Sequence, residues 1–165
     1  MPTTKTLSGS TSTGDHREAL ADVALRLGDV GTGRTNAMVG VLTETVAIAA
    51  FTDGGAAVGT FQLLGSVPAG AILLTTRLGP VVGFAGDTSA AITIGDGSDP
   101  DRYHTGTPSV FATAAVGVEC GIVSGTKLIT TANRPTLTVT TNADFTAAVT
   151  NASGVVTVSI YYIQT

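Results

Sequence analysis

Val156-Thr-Val-Ser-Ile-Tyr-Tyr-Ile163 decides the fold class. Val156, Val158, Ile160 and Tyr162 alternate with Thr157, Ser159, Tyr161 and Ile163. An extended chain sends successive side chains to opposite faces. The alternation therefore predicts a strand with one aliphatic face on a core and one mixed face toward water or a neighbour. Leu137 and Val139 alternate with Thr136, Thr138 and Thr140 in the same way.

Working outward, β-type runs recur from residue 37 onward. They cover roughly 37–43, 45–51, 57–64, 71–78, 80–84, 90–95, 109–115, 117–123, 126–131, 136–141, 145–149 and 155–163. Turn-forming residues punctuate them: Asp53-Gly-Gly55, Val67-Pro-Ala-Gly70, Asp96-Gly97, Ser124-Gly125, Asn133-Arg-Pro135 and Asn151-Ala-Ser-Gly154. Short strands at regular spacing, without helix–strand alternation, predict an all-β, antiparallel sandwich or barrel over residues 37–165.

Residues 1–36 read differently, as an N-terminal tail and arm. Met1 to Gly14 is rich in Thr and Ser and has no periodicity. Asp15 and Glu18 have capping-box spacing, and Leu20, Val23, Ala24 and Leu27 fall at i, i+3, i+4, i+7, with Gly28 as a stop. A short helix over 16–27 fits this pattern. An extended arm fits it too, because Ala21, Val23, Leu25 and Leu27 alternate. Gly31-Thr-Gly-Arg34 lacks the Lys-Ser/Thr of a phosphate loop and reads as a hinge.

Composition narrows the function classes. Charged residues are 12% of the 165-residue chain, about half the usual share of ~25%. A surface so poor in charge fits a thermostable, Thr-coated β-domain and equally a domain partly covered by copies of itself or by a scaffold. Net charge is −4, and the eight basic residues are scattered, which argues against direct nucleic-acid binding. Apolar runs are broken well short of ~18 residues, so no membrane-spanning helix is expected. Cys120 is the single cysteine and sits in an apolar run, where a small core residue is expected.

Candidate chemistry concentrates in Ile92-Thr-Ile-Gly-Asp-Gly-Ser-Asp-Pro-Asp-Arg-Tyr103. Asp96, Asp99 and Asp101 are oxygen ligands in principle, but their spacing is not that of a calcium loop. Asp96, Gly97, Asp99, Pro100 and Asp101 are also what a tight turn requires, and turn construction is the expectation. His16 and His104 have no neighbouring Cys or second His, so no metal site is expected. Ser109 follows His104, yet no nucleophile elbow surrounds any serine. No catalytic set and no cofactor are expected. Asn151-Ala-Ser153 reads as a hairpin turn.

The stretch from Val67-Pro-Ala-Gly-Ala71 through Ile92–Tyr103 to Val156–Tyr162 resembles small virion proteins of tailed bacteriophages, in particular the capsid decoration, or cement, proteins. The resemblance covers about residues 60–165. It implies an antiparallel β-sandwich, jelly-roll-like body with an N-terminal arm, on the exterior of an icosahedral head and bound to the major capsid protein. It also implies a homo-oligomer, commonly a trimer, and an N-terminal arm inserted among capsid subunits. Leu20, Val23, Leu25, Leu27 and Val30 are the expected capsid-binding anchors of that arm. A receptor- or glycan-binding module of a tail fibre or surface appendage is the alternative, with Tyr103, Tyr161 and Tyr162 as its sugar-stacking surface.

Overall fold

The computed structural model describes residues 37–84, 87–121, 125–150 and 154–164. The tail, the arm, the expected helix 16–27 and the anchors Leu20, Val23, Leu25, Leu27 and Val30 lie outside the described residues.

Among the described residues eight strands, a single 3-10 turn (Ile48–Ala50) and one short α-helix follow one another: β1 (Met38–Ala47), β2 (Thr52–Asp53), β3 (Val58–Gln62), β4 (Ile72–Val82), β5 (Ala90–Gly95), β6 (Val118–Glu119), β7 (Thr136–Thr141), α1 (Phe145–Thr150) and β8 (Val155–Gln164). They form two antiparallel sheets. The first has the order β1-β8-β4-β6 and the second β2-β3-β7-β5. The pairing is nested: β1 with β8, β3 with β7, β4 with β6, and β5 with Ser109 through an isolated bridge. A chain that pairs its outermost strands first and its innermost last, then wraps into two sheets, is a jelly roll. The expected fold class is the one observed.

The alternation in β8 and β7 explains the core. Val156, Val158 and Ile160 of β8 are fully buried, as are Leu137 and Val139 of β7 and Ile92 and Ile94 of β5. Leu73, Leu78 and Val81 of β4 join them. At the edge of the core Phe51 meets Phe61, Phe84 and Phe145, with ring centroids 5.8, 6.0 and 6.2 Å apart. Aromatic pairs at such separations add to the stabilisation from burial alone.

Several expected elements come out differently. Runs 71–78 and 80–84 are one strand, β4, with a register shift between Leu78 and Val81. Gly79-Pro80 sits in this irregularity; proline has no N–H to give the ladder, and bulges accommodate it. Runs 109–115 and 126–131 pair only through single bridges at Ser109, Ala114 and Leu128. Residues 145–149 are helix and not strand. Asp144 decides this by accepting a hydrogen bond from the Thr146 N–H at 2.9 Å, which caps the first turn. Phe145 and Ala148 then point into the core at the i, i+3 spacing of one helix face. The turn expected at Asn151–Ser153 lies outside the described residues.

Candidate functional site

The turn after β5 is built by its own carboxylates. Asp96 Oδ1 accepts from the Ser98 N–H (3.1 Å), the Ser98 hydroxyl (2.8 Å) and the Asp99 N–H (2.9 Å). The Asp96 N–H donates to the Asp99 carbonyl at 3.0 Å. Gly97 takes φ +89°, a left-handed conformation that glycine adopts without a steric penalty. Asp99 Oδ1 accepts from the Asp101 N–H at 3.4 Å. Burial pushes the Asp96 carboxyl up. The hydrogen bonds from Asp99 and Ser98, with the nearby Arg102 charge, outweigh that, and its pKa lies below the ordinary 3.8.

Tyr103 pins this turn to the body. Its N–H donates to the Ile94 carbonyl at 3.0 Å, and its own carbonyl accepts from the buried Thr76 hydroxyl at 2.6 Å. Its phenol donates to Asn133 Oδ1. Asn133 in turn exchanges both backbone hydrogen bonds with Val67, at 2.8 and 3.0 Å. Burial, helped by the Asp96 charge, raises the phenol pKa from 10.0 to about 12. Burial likewise pushes the Cys120 thiol from 9.0 to about 11, so it stays protonated and unreactive near neutrality.

His104 is fully buried, and among the described residues neither ring nitrogen has a hydrogen-bond partner. Its backbone N–H donates to the Asp101 carbonyl at 3.1 Å, while Asp99 and Asp101 themselves are exposed. The Ser109 hydroxyl donates to the Ala90 carbonyl at 3.4 Å and not to an imidazole. Among the described residues no group of three His, Cys, Asp or Glu side chains could hold a metal ion. A polar cleft of about 260 Å³ runs beside the turn, between Asp96, Ser98 and Arg102 on one wall and Ile129–Thr131 and Asn133 on the other. Arg102 Nη2 closes one end by donating to the Leu128 carbonyl at 3.0 Å.

The tyrosines do not make a stacking surface. Tyr103 is fully buried. Tyr162 faces inward, and its ring lies over Gly40 where a Cβ would collide with it. Only Tyr161 faces outward, paired across the sheet with Val41 and Thr75.

What the periodicity could not show is how the outward faces of the two sheets differ. Cross-strand partners point to the same side of a sheet. In the second sheet Thr52, Thr60, Thr138 and Thr93 line up in one row across all four strands. In the first sheet the corresponding kind of row is Val39, Ile163, Ile72 and Leu128. Val39 is 69% exposed, Leu128 44% and Ile72 36%. Beside this row lie Val41, Tyr161 and Thr75. Hydroxyl pairs follow, Thr43 with Ser159 at 3.0 Å and Thr45 with Thr157 at 2.8 Å. A shallow groove of about 320 Å³ crosses the same face between Arg77, Pro80 and Tyr161.

Charge on the strands is confined to Glu44, Asp53, Arg77 and Glu119, and each is engaged within the molecule. Glu44 Oε2 accepts from the Leu64 N–H at 2.8 Å. Asp53 accepts from the Gly55 N–H at 2.8 Å and the Thr146 hydroxyl at 2.9 Å. Arg77 Nε and Glu119 Oε1 are 3.4 Å apart.

No protein-family model matches the chain, and no curated protein matches it. Among solved structures it is similar to a chain of the cyanophage Pam1 capsid asymmetric unit, at 19% identity over 100% of both chains, with a TM-score of 0.46. A likeness of that size leaves the fold to be defined by the chain's own strand pairing.

Proposed function

We propose that this protein is a non-enzymatic structural component of a tailed-bacteriophage virion. It binds the exterior of the capsid and stabilises the head by bridging major capsid proteins, in company with sister copies. The observation that carries this reading is the surface of the jelly roll. Its strands present threonine rows and exposed aliphatics, and the four charged side chains on them are already engaged internally. A free domain stays soluble through mixed surface charge; a surface without it suits a protein covered over much of its area.

Each contact buries apolar and threonine-rich area, worth about 25 cal/mol per Å² before the cost of association. Repetition over a symmetric shell turns modest individual contacts into resistance against internal pressure. The arm adds affinity by laying an extended segment along a capsid sheet edge, where main-chain hydrogen bonds form. Leu20, Val23, Leu25, Leu27 and Val30 are its anchors in this reading.

The test is co-sedimentation with phage heads stripped of accessory proteins. The full chain is expected to bind at a fixed stoichiometry. A variant lacking residues 1–36 is expected to keep the β-body folded and lose binding. A full chain that ignores the heads refutes the decoration role, and undiminished binding by the truncated chain refutes the arm.

A further inference from the structure

The polar cleft beside the acidic turn is lined by Asp96, Arg102 and Asn133, each with one end committed to the body and the other end free. We propose that this cleft is a binding site for a neutral sugar ring, held through its hydroxyl groups by these three side chains and by Thr130 and Thr131. The site goes beyond the capsid role, and its test needs no capsid.

Preorganisation is the first argument. Asp96 Oδ1 accepts from Ser98 and Asp99, and Oδ2 has no hydrogen bond among the described residues. Arg102 Nη2 donates to the Leu128 carbonyl, whereas its Nε and Nη1 have no acceptor among the described residues. Asn133 Oδ1 accepts from the Tyr103 phenol, and the Asn133 backbone is bridged to Val67. Both protons on Asn133 Nδ2 are left without an acceptor among the described residues. Side chains that are already fixed lose little freedom when a ligand arrives.

Polarity and charge select the ligand. A carboxylate only accepts hydrogen bonds, a guanidinium and an amide nitrogen only donate, and a hydroxyl does both. Asp96 is ionised near neutral pH, its pKa lying below the ordinary 3.8. Adjacent ring hydroxyls satisfy such a set, donating to Asp96 or a threonine oxygen and accepting from Arg102 or Asn133. Asp96 and Arg102 are the charged residues of the lining, one of each sign. The carboxylate opposes a phosphate ligand, and the guanidinium opposes a metal cation.

Shape agrees with this. Among the described residues no aromatic side chain lines the cleft, and Ile129 is only 4% exposed. A nucleobase therefore has no ring to stack on, and an apolar peptide side chain has no surface to bury against. The volume of about 260 Å³ lies just below the roughly 300–1,000 Å³ of ordinary ligand pockets and suits a single ring. Tyr103 serves the site only by holding Asn133.

The experiment is a titration of the nitrogen-15-labelled full chain, followed through its amide NMR shifts. D-glucose, D-galactose, D-mannose and N-acetyl-D-glucosamine are the sugar probes. Inorganic phosphate and calcium chloride test the ionic alternatives, and glycerol controls for a hydroxyl compound without a ring. At least one of the four sugars is expected to give saturating shifts at Ser98, Arg102, Thr131 and Asn133, with a Kd of about 1–10 mM. Asp96→Asn keeps an oxygen for the turn and is expected to weaken the sugar at least about 10-fold. Thr131→Val, at an exposed position outside the turn, is expected to weaken it about 3-fold or more. Thr140→Val, exposed on β7, is expected to leave it unchanged. The amide spectrum of each variant checks that it is folded. The proposal is overturned if none of the four sugars gives saturating shifts in the cleft up to about 100 mM. It is overturned equally if phosphate, calcium or glycerol saturates the cleft more tightly than every sugar, or if sugar binding is indifferent to both Asp96→Asn and Thr131→Val. Head binding is decided separately by its own assay.

Discussion

Replacing Tyr103 by phenylalanine removes one oxygen from a buried side chain that ties the acidic turn to the Asn133–Val67 bridge. Near neutral pH the variant loses one hydrogen bond and leaves Asn133 Oδ1 without its donor. The expected cost is about 1–1.5 kcal/mol. The same phenol makes the parent sensitive to alkali. Its pKa rises from 10.0 to about 12 on folding, so above pH 10 the unfolded chain has released a proton that the folded chain still holds. Stability then falls with rising pH, by on the order of 1 kcal/mol near pH 11 and further as the pH approaches 12. The phenylalanine variant has no such loss. Cys120, raised from 9.0 to about 11, also erodes stability in alkali. It does so equally in both proteins and cancels in the difference. Urea denaturation at intervals from pH 8 to 11.5 reads the effect directly. The parent is expected to start more stable and the two stability curves to converge near pH 11. Curves that stay parallel over this range would refute the argument that Tyr103 titrates as a buried, hydrogen-bonded phenol.

Two further substitutions probe the packing. Gly59→Ala would place a methyl into the ring of Phe145. A net destabilisation of about 1–2 kcal/mol is expected, and an unchanged denaturation midpoint would show that helix α1 shifts freely. His104→Phe replaces a buried imidazole without hydrogen-bond partners among the described residues by an apolar ring. Thermal unfolding at pH 7 is expected to show equal or greater stability, because no buried polar group is then left unpaired; a loss above about 1.5 kcal/mol would contradict this.

The two-residue alternation in Val155–Gln164 and Thr136–Thr141 was enough to read a half-buried antiparallel sheet, since strand geometry alone assigns side chains to faces. Turn residues were equally legible. Asp96, Gly97 and Pro100 carry local chemistry, and Asp96 closes its turn through hydrogen bonds that span no more than three residues. Helix α1 was missed because Phe-Thr-Ala-Ala-Val-Thr looks like a strand by composition. Its signal is the capping carboxylate of Asp144 just before it. The expected tyrosine surface failed for a related reason: the sequence shows how many tyrosines there are, but the wall each belongs to depends on what packs against it.

The chain by itself determined that the protein is all-β, wrapped around an aliphatic core and poor in charge, because periodicity and composition act residue by residue. Only the tertiary structure decided which strands are neighbours. The nested pairing put Val39, Ile163, Ile72 and Leu128 in one outward row and Thr52, Thr60, Thr138 and Thr93 in another. Those residues are far apart along the chain. Cross-strand rows follow from register, and register is set by the packing of the whole core and not by any local run of sequence.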